Sequence, residues 1–229
     1  MITTHAPLRP GRHPARRRLA RAAAAIAAVI GGLTTAGALV LMVLFGPSGT
    51  LDPGALPLIA TPTAVLVLDP GTVTDTAGAA RVLGAPTVRI SATSDGVPIF
   101  VGIGRVADVD RYLNGVATDE LAAVDGSVPR GLDRHPGEAL AAPPTDQSFW
   151  ITSATSASTA DLIWAIQDGT YRIVVMHADG TPGVTTQLHA AVTVPHMFDF
   201  AIGALVGGLL LIGGGVTVLV IARRRTTSV

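Results

Sequence analysis

Hydrophobic positions follow two rhythms along this chain: one unbroken apolar run near each end, and short alternating runs between them. From Ala22 to Phe45 no residue is charged. As a helix rising about 1.5 Å per residue this stretch spans about 36 Å, against about 30 Å of bilayer hydrocarbon. Ile26, Val29, Ile30, Leu33 and the block Leu39–Phe45 favour insertion, offset in part by Gly31, Gly32, Thr34 and Thr35. The second run, Phe200 to Ala222, is also uncharged and stops abruptly at three arginines. Both runs are expected to be spanning helices. A cleaved signal peptide is the rival reading of the first, because Ala36-Gly37-Ala38 has the small-x-small form of a cleavage site. That triplet lies inside the run, and cleavage there would leave Leu39 to Phe45 exposed, so an uncleaved anchor is expected.

Between the runs the period changes to two. Val184 to Val194 alternates Val184, Thr186, Leu188, Ala190, Val192 and Val194 with Thr185, Gln187, His189, Ala191 and Thr193, the pattern of a strand with one buried face. Asp161 to Gln167 alternates through Leu162, Trp164 and Ile166. Asp168-Gly169 then predicts a hairpin turn into Tyr171–Met176. Further strands are expected at Ala64–Leu68, Val88–Ala92, Ile99–Ile103, Glu120–Val124 and Phe149–Ala154. About eight short strands with turn residues between them predict an all-β fold, an antiparallel β-sandwich. One short helix is expected, capped by Asp108, with Val109, Tyr112 and Leu113 on one face and Asn114-Gly115 ending it. The expected organisation is a basic tail (1–21), helix 22–45, a Pro/Gly-rich tether (46–60), the sandwich (61–196), helix 198–222 and a second basic tail (223–229). The Pro-rich segment Asp125 to Gln147 is expected to be loosely packed.

Charge fixes an expected orientation. Arg9, Arg12, Arg16, Arg17, Arg18 and Arg21 precede the first run with no acid among them, and Arg223, Arg224 and Arg225 follow the second. Arginine flanks stay on the cytoplasmic side, so both termini are expected in the cytoplasm and the central domain outside it. Arg16, Arg17, Arg18, Arg21, Arg223, Arg224 and Arg225 are the topogenic set. All sixteen acids lie between the clusters against seven arginines, so the middle carries a net charge of −9 although the whole chain is neutral. The basic clusters suit anionic lipid headgroups and do not predict nucleic-acid binding. Within the helices, Gly203 with Gly207, Ala204 with Gly208, and Gly32 with Ala36 form small-residue faces. They are expected to pack the two helices together or to build a homo-oligomer.

Chemistry is sparse. With no cysteine, thiol catalysis, disulfides and Cys-based zinc sites are excluded. No G-x-S-x-G elbow, S-x-x-K pair, H-E-x-x-H or calcium-loop pattern is present, and Gly102-Ile103-Gly104 is too short for a phosphate-binding fingerprint. Asp108 and Asp110 fit a helix start without an ion. His177, His189 and His196 are read as surface histidines, and Trp150 and Trp164 as core. No catalytic, cofactor-binding or metal residue is assigned.

At PIFVGIG (Pro98 to Gly104), DVDRYLNGV (Asp108 to Val116) followed by Asp119-Glu120, and YRIVVMHADGTPGV (Tyr171 to Val184), the chain resembles a group of uncharacterised two-helix membrane proteins of high-GC Gram-positive bacteria. The resemblance implies the same layout and carries no assigned activity. It puts His177 where that group often has Asn, as a tolerant surface position. The expected function is a non-catalytic binding or scaffold module of the cell envelope, with the lipid bilayer and a membrane or envelope protein as partners. The alternatives are a ligand-sensing or envelope-stress component that signals through helix packing, and a membrane-anchored enzyme acting on cell-wall polymers.

Overall fold

A computed structural model describes residues 14–69, 72–94, 96–121, 131–140 and 142–224. Arg9, Arg12, Arg225, the expected strand end at 122–124 and the first part of the Pro-rich segment, 125–130, lie outside the described residues. In chain order the elements are α1 (Pro14–Phe45), β1 (Thr50–Leu51), β2 (Ile59–Ala60), β3 (Val65–Leu68), β4 (Thr72–Val73), α2 (Thr76–Leu83), β5 (Thr87–Ser94) and β6 (Ile99–Arg105). They continue with α3 (Val106–Tyr112), β7 (Thr118–Leu121), β8 (Leu132–His135), β9 (Thr152–Ser156), β10 (Thr159–Ala165), β11 (Gly169–His177), β12 (Thr185–Thr193) and α4 (Met197–Arg224). The chain divides into two units, the pair of terminal helices and the domain Leu44–Phe198.

Two helical stretches, Arg21–Phe45 and Met197–Ile221, are long and apolar enough to cross a membrane. They pack against each other through the smallest side chains they possess. Ala24, Gly31 and Ala38 are buried on α1, and Ala201, Gly208 and Gly215 on α4, each set repeating every seven residues. A Cβ added at Gly31 would lie 2.6 Å from the Gly208 carbonyl oxygen, and one added at Gly215 would lie 2.6 Å from that of Ala24. The helices therefore run antiparallel with backbone against backbone. Large aliphatic side chains such as Leu33, Val43 and Leu210 point outward.

This seam differs from the small-residue faces expected from sequence. Of those residues only Gly208 lies in it. Gly32, Gly203 and Gly207 have open space where a Cβ would go, Ala36 is exposed and Ala204 is half-buried. The four-residue small-x-x-x-small spacing assumes one ridge geometry, whereas a seven-residue repeat selects a different stripe on the same helix.

In the domain, one sheet has the order β1-β12-β5-β10, with β2 also on β12; the other has the order β8-β7-β3-β11-β6-β9, with β4 also on β11. Among the described residues the strand pairings are antiparallel except β3 with β7, which is parallel, and the isolated Val116–Glu138 bridge, which is parallel too. Ile90, Ala92, Leu162, Trp164 and Leu188 from the first sheet share one hydrophobic cluster with Leu66, Val101, Ile103, Tyr171, Ile173 and Val175 from the second. The second sheet is buried on its other face too. There Val65, Val67, Phe100, Val174 and Met176 meet Val109 and Leu113 of the α3 region, with Tyr112, Leu140, Phe149 and Trp150 at the margin. Burial on both faces explains why β3, β6 and β11 read as continuous apolar runs and not as alternations.

That second layer also explains the glycines of β6. A Cβ at Gly102 would fall 2.6 Å from Phe100 Cε1 and 2.8 Å from Trp150 Cε3, and one at Gly104 would fall 2.7 Å from Val109 Cγ2. Rings and helix therefore lie directly on the strand. Gly102→Ala is expected to cost about 1–3 kcal/mol through overpacking, measured as an earlier thermal transition in tryptophan fluorescence.

Several expectations are corrected. The domain is mixed and not strictly all-β: α2 adds a short helix with no buried residue, and β3–β7 is parallel. The short helix begins at Val106, two residues before Asp108, although Val109 and Leu113 are buried as expected and Gly115 (φ +79°) follows its end. Residues 46–60 are no free tether, since Thr50–Leu51 and Ile59–Ala60 pair with β12 and Ala55 bridges His189. β10 and β11 form no hairpin, because they belong to different sheets; their side chains meet across the core, with the Trp164 and Tyr171 rings 4.7 Å apart. Asp168 accepts hydrogen bonds from Thr76 N (2.8 Å) and Oγ1 (2.6 Å) and so ties down the start of α2. The described part of the Pro-rich segment is packed: β8 pairs with β7, Glu138 bridges Val116, and the Trp150 indole donates to the Pro144 carbonyl.

Candidate functional site

A polar cleft lies at the covered face of the second sheet. Its volume is about 270 Å³, and its walls are Val67 of β3, Asp110 and Leu113 of the α3 region, Thr118 and Glu120 of β7, His135 of β8 and Arg172 of β11. Its position follows from the chain. β6 runs straight into α3, which lays Val109 over the Cβ-free Gly104, and the side of α3 bearing Asp110 meets β11. The parallel β3–β7 pair then brings Glu120 alongside.

Arg172 is the single charge in the otherwise apolar β11 segment from Tyr171 to Met176. Its Nε is 3.2 Å from Asp110 Oδ1, yet it is buried without the alignment of a hydrogen bond. His135 Nε2 stands 3.6 Å from Glu120 Oε2. Both pairs are partly solvated, so they orient their members more than they stabilise the fold. The cleft thus presents a guanidinium, an imidazole, two carboxylates and a small apolar floor. A mixed lining of this kind offers both hydrogen-bond donors and acceptors to a polar group.

Behind it, on the opposite face of β7, the side chain of Asp119 is fully buried. Arg134 donates to it from Nε (2.9 Å) and Nη2 (3.2 Å), and Thr61 Oγ1 donates to Oδ2. The Thr63 amide donates in turn to Thr61 Oγ1 at 3.1 Å. The Arg134 hydrogen bond holds the Asp119 carboxyl below the usual aspartate range against the opposing effect of burial. This group fixes β8, and with it His135, to the rim of the cleft.

The other sequence candidates stay apart. His177 is buried, with Nδ1 3.0 Å from Thr181 Oγ1, which corrects its expected surface position. His189 is 2.6 Å from Asp52 on the solvated face of the first sheet. The His196 amide bonds the Leu83 carbonyl. Asp108 pairs with Arg111 and Asp110 with Arg172, and among the described residues no group of three His, Asp or Glu is placed to hold a metal ion. Trp164 is buried in the core. Trp150 stacks with Phe149, Phe100 and Tyr112, and burial raises the Tyr112 hydroxyl to about 12. Asp110, Glu120 and Arg172 lie in segments that carry the resemblance, but nothing in their sequence spacing placed them together with His135.

No protein-family model matches the chain, and no curated protein is a significant match to it.

Proposed function

We propose that this chain is an integral membrane protein in which α1 and α4 form a single antiparallel anchor. In this reading the central domain is a β-sandwich held outside the cytoplasm as a non-catalytic binding module of the cell envelope. The observation that carries the reading is the seven-residue seam between the terminal helices. An antiparallel pair has the C-terminal end of α1 and the N-terminal end of α4 at one end, so the intervening chain is exported as one loop. The arginines of both tails are left at the other end, where the positive-inside rule keeps them. Outward-facing Leu33, Val43 and Leu210 need an apolar surrounding, which a bilayer supplies. The cleft between Asp110, Glu120, His135 and Arg172 is the contact surface of the module.

Because the chain has no cysteine, single-cysteine variants report topology without background. Gln187→Cys, on the exposed face of β12, is expected to react with a membrane-impermeant maleimide in intact cells, and Ser228→Cys only after lysis. The reverse pattern removes the proposed orientation. A photo-crosslinker placed at His135 is then expected to capture a discrete envelope component, and a crosslink-free result removes the binding role.

A further inference from the structure

We propose that the last turn of α2 is a contact with the phospholipid headgroups of the bilayer, made by Arg81 and Val82. The contact rests on the membrane reading above and not on the cleft. It starts from a helix that the core does not use: α2 has no buried residue, so hydrophobic packing gives no reason for its position. Hydrogen bonds at its two ends hold it. Thr76 is tied to Asp168 at the start, and at the end the His196 amide donates to the Leu83 carbonyl at 2.9 Å. The chain leaves the helix through Gly84 (φ +81°), where an added Cβ would stand 3.1 Å from Pro195 Cβ and 3.3 Å from His196 Cδ2.

Pro195 and His196 immediately precede α4. The other chain connection is fastened at the same place, because the Val194 amide donates to the carbonyl of Gly49, just after α1, at 2.8 Å, and β1 pairs with the end of β12. By chain connection alone, this is the end of the domain nearest the bilayer. The apolar stretch Met197–Ile221 has 25 residues, about 37 Å as a helix against about 30 Å of hydrocarbon. Its first turn, which holds Asp199, therefore stands among headgroups, and so does what touches Pro195 and His196. Arg81 and Val82 lie within one helical turn of Gly84, about 5 Å along the axis. Their chemistry suits that layer. Val82 is 64% exposed. Arg81 is exposed, has no ion pair among the described residues, and shares α2 with no acid. A guanidinium at headgroup depth binds phosphodiester oxygens in a bidentate manner, while an aliphatic neighbour enters the edge of the acyl region. A protein bound here would first have to displace the headgroups.

The test uses the purified full chain, one copy per nanodisc of dioleoyl phosphatidylcholine and dioleoyl phosphatidylglycerol. With no native cysteine, Val82→Cys and Val97→Cys each take a single nitrobenzoxadiazole label. Val97 is also an exposed valine, but it follows β5 at the end away from the Thr87–Thr193 pair. Lipid carrying a nitroxide on its headgroup is expected to quench the label at 82 about threefold more than the label at 97. Arg81→Glu is expected to bring the quenching at 82 down to the level at 97, and Arg81→Lys to keep most of it, with the tryptophan melting transition unchanged in both. Equal quenching at 82 and 97 overturns the proposal, as does quenching at 82 that Arg81→Glu leaves intact, which means that the label inserts by itself. Protection of position 82 that appears only with two copies per disc also overturns it, since a second chain then covers α2. Failure of the membrane reading itself looks different: the chain washes off membranes in alkaline carbonate.

Discussion

An Asp119→Ala chain is expected to unfold its domain about 2–4 kcal/mol more easily than wild type, a drop of roughly 5–15 °C in the melting transition for a domain of this size. Both tryptophans, Trp150 and Trp164, lie in the domain, so their fluorescence reports the transition directly. The loss has two sources. The substitution removes a carboxylate that receives Arg134 and Thr61, and it leaves the Thr61 and Thr63 hydroxyl pair, buried and 2.8 Å apart, with one acceptor fewer. Arg134 is half-exposed and finds water, which keeps the cost below that of a fully buried pair. Asp119→Asn keeps the shape and one acceptor oxygen, so its loss is expected to be smaller.

The same carboxylate sets an acid dependence whose sign follows from its lowered pKa. In the unfolded chain Asp119 titrates near the ordinary value of 3.8, and in the folded domain below it. The unfolded state therefore binds the proton first as pH falls. The contribution of Asp119 is fully present above about pH 4–5 and is lost as pH drops through the folded pKa. The wild-type melting temperature is expected to fall over that acid range, while the Asp119→Ala variant falls less steeply. Parallel curves would show that other carboxylates dominate.

How much of this was legible beforehand depends on the range of the signal. The terminal helices were legible because an unbroken apolar run of that length has few other uses, and β12 because its alternation extends through eleven residues. Partners in the sheets were not. Asp168-Gly169 encodes a reversal of direction but not which sheet the chain enters next, so β10 and β11 read as a hairpin and fold as opposite walls of the core. Residues 46–60 read as a tether because two-residue strands carry no period, and it is the β12 edge that orders them. The Asp125 to Gln147 segment misled for another reason. Its prolines remove backbone donors and local periodicity, yet the described part is fixed by contacts with residues distant in sequence: β8 against β7, and Tyr112 Oη donating to the Ala142 carbonyl at 2.8 Å. The cleft was invisible because Asp110, Glu120, His135 and Arg172 come from four elements that only the fold assembles.

The helix pair offers the sharpest discrimination between two sequence rules, because adjacent glycines take opposite roles. A Cβ at Gly208 would collide with Thr35 Oγ1 and stand 2.8 Å from the Gly31 carbonyl oxygen and 3.0 Å from the Thr35 amide nitrogen. Two of these three are backbone atoms of a helix and cannot rotate away. Gly208→Leu is therefore expected to force the helices apart at a cost of about 2 kcal/mol, roughly a 30-fold shift in the pairing equilibrium. Gly207→Leu, whose Cβ meets nothing within 4 Å, is expected to cost almost nothing. Crosslinking between Ala38→Cys and Ala201→Cys, buried seam positions that already carry a Cβ, reads the difference, with yield collapsing in the first background and surviving in the second. Covalent linkage through the domain keeps the local concentration of the two helices high, so a residual yield is expected even in Gly208→Leu, and the ratio between the backgrounds is the informative quantity. If Gly207→Leu were instead the disruptive change, the four-residue spacing would define the contact and the seven-residue seam would be displaced.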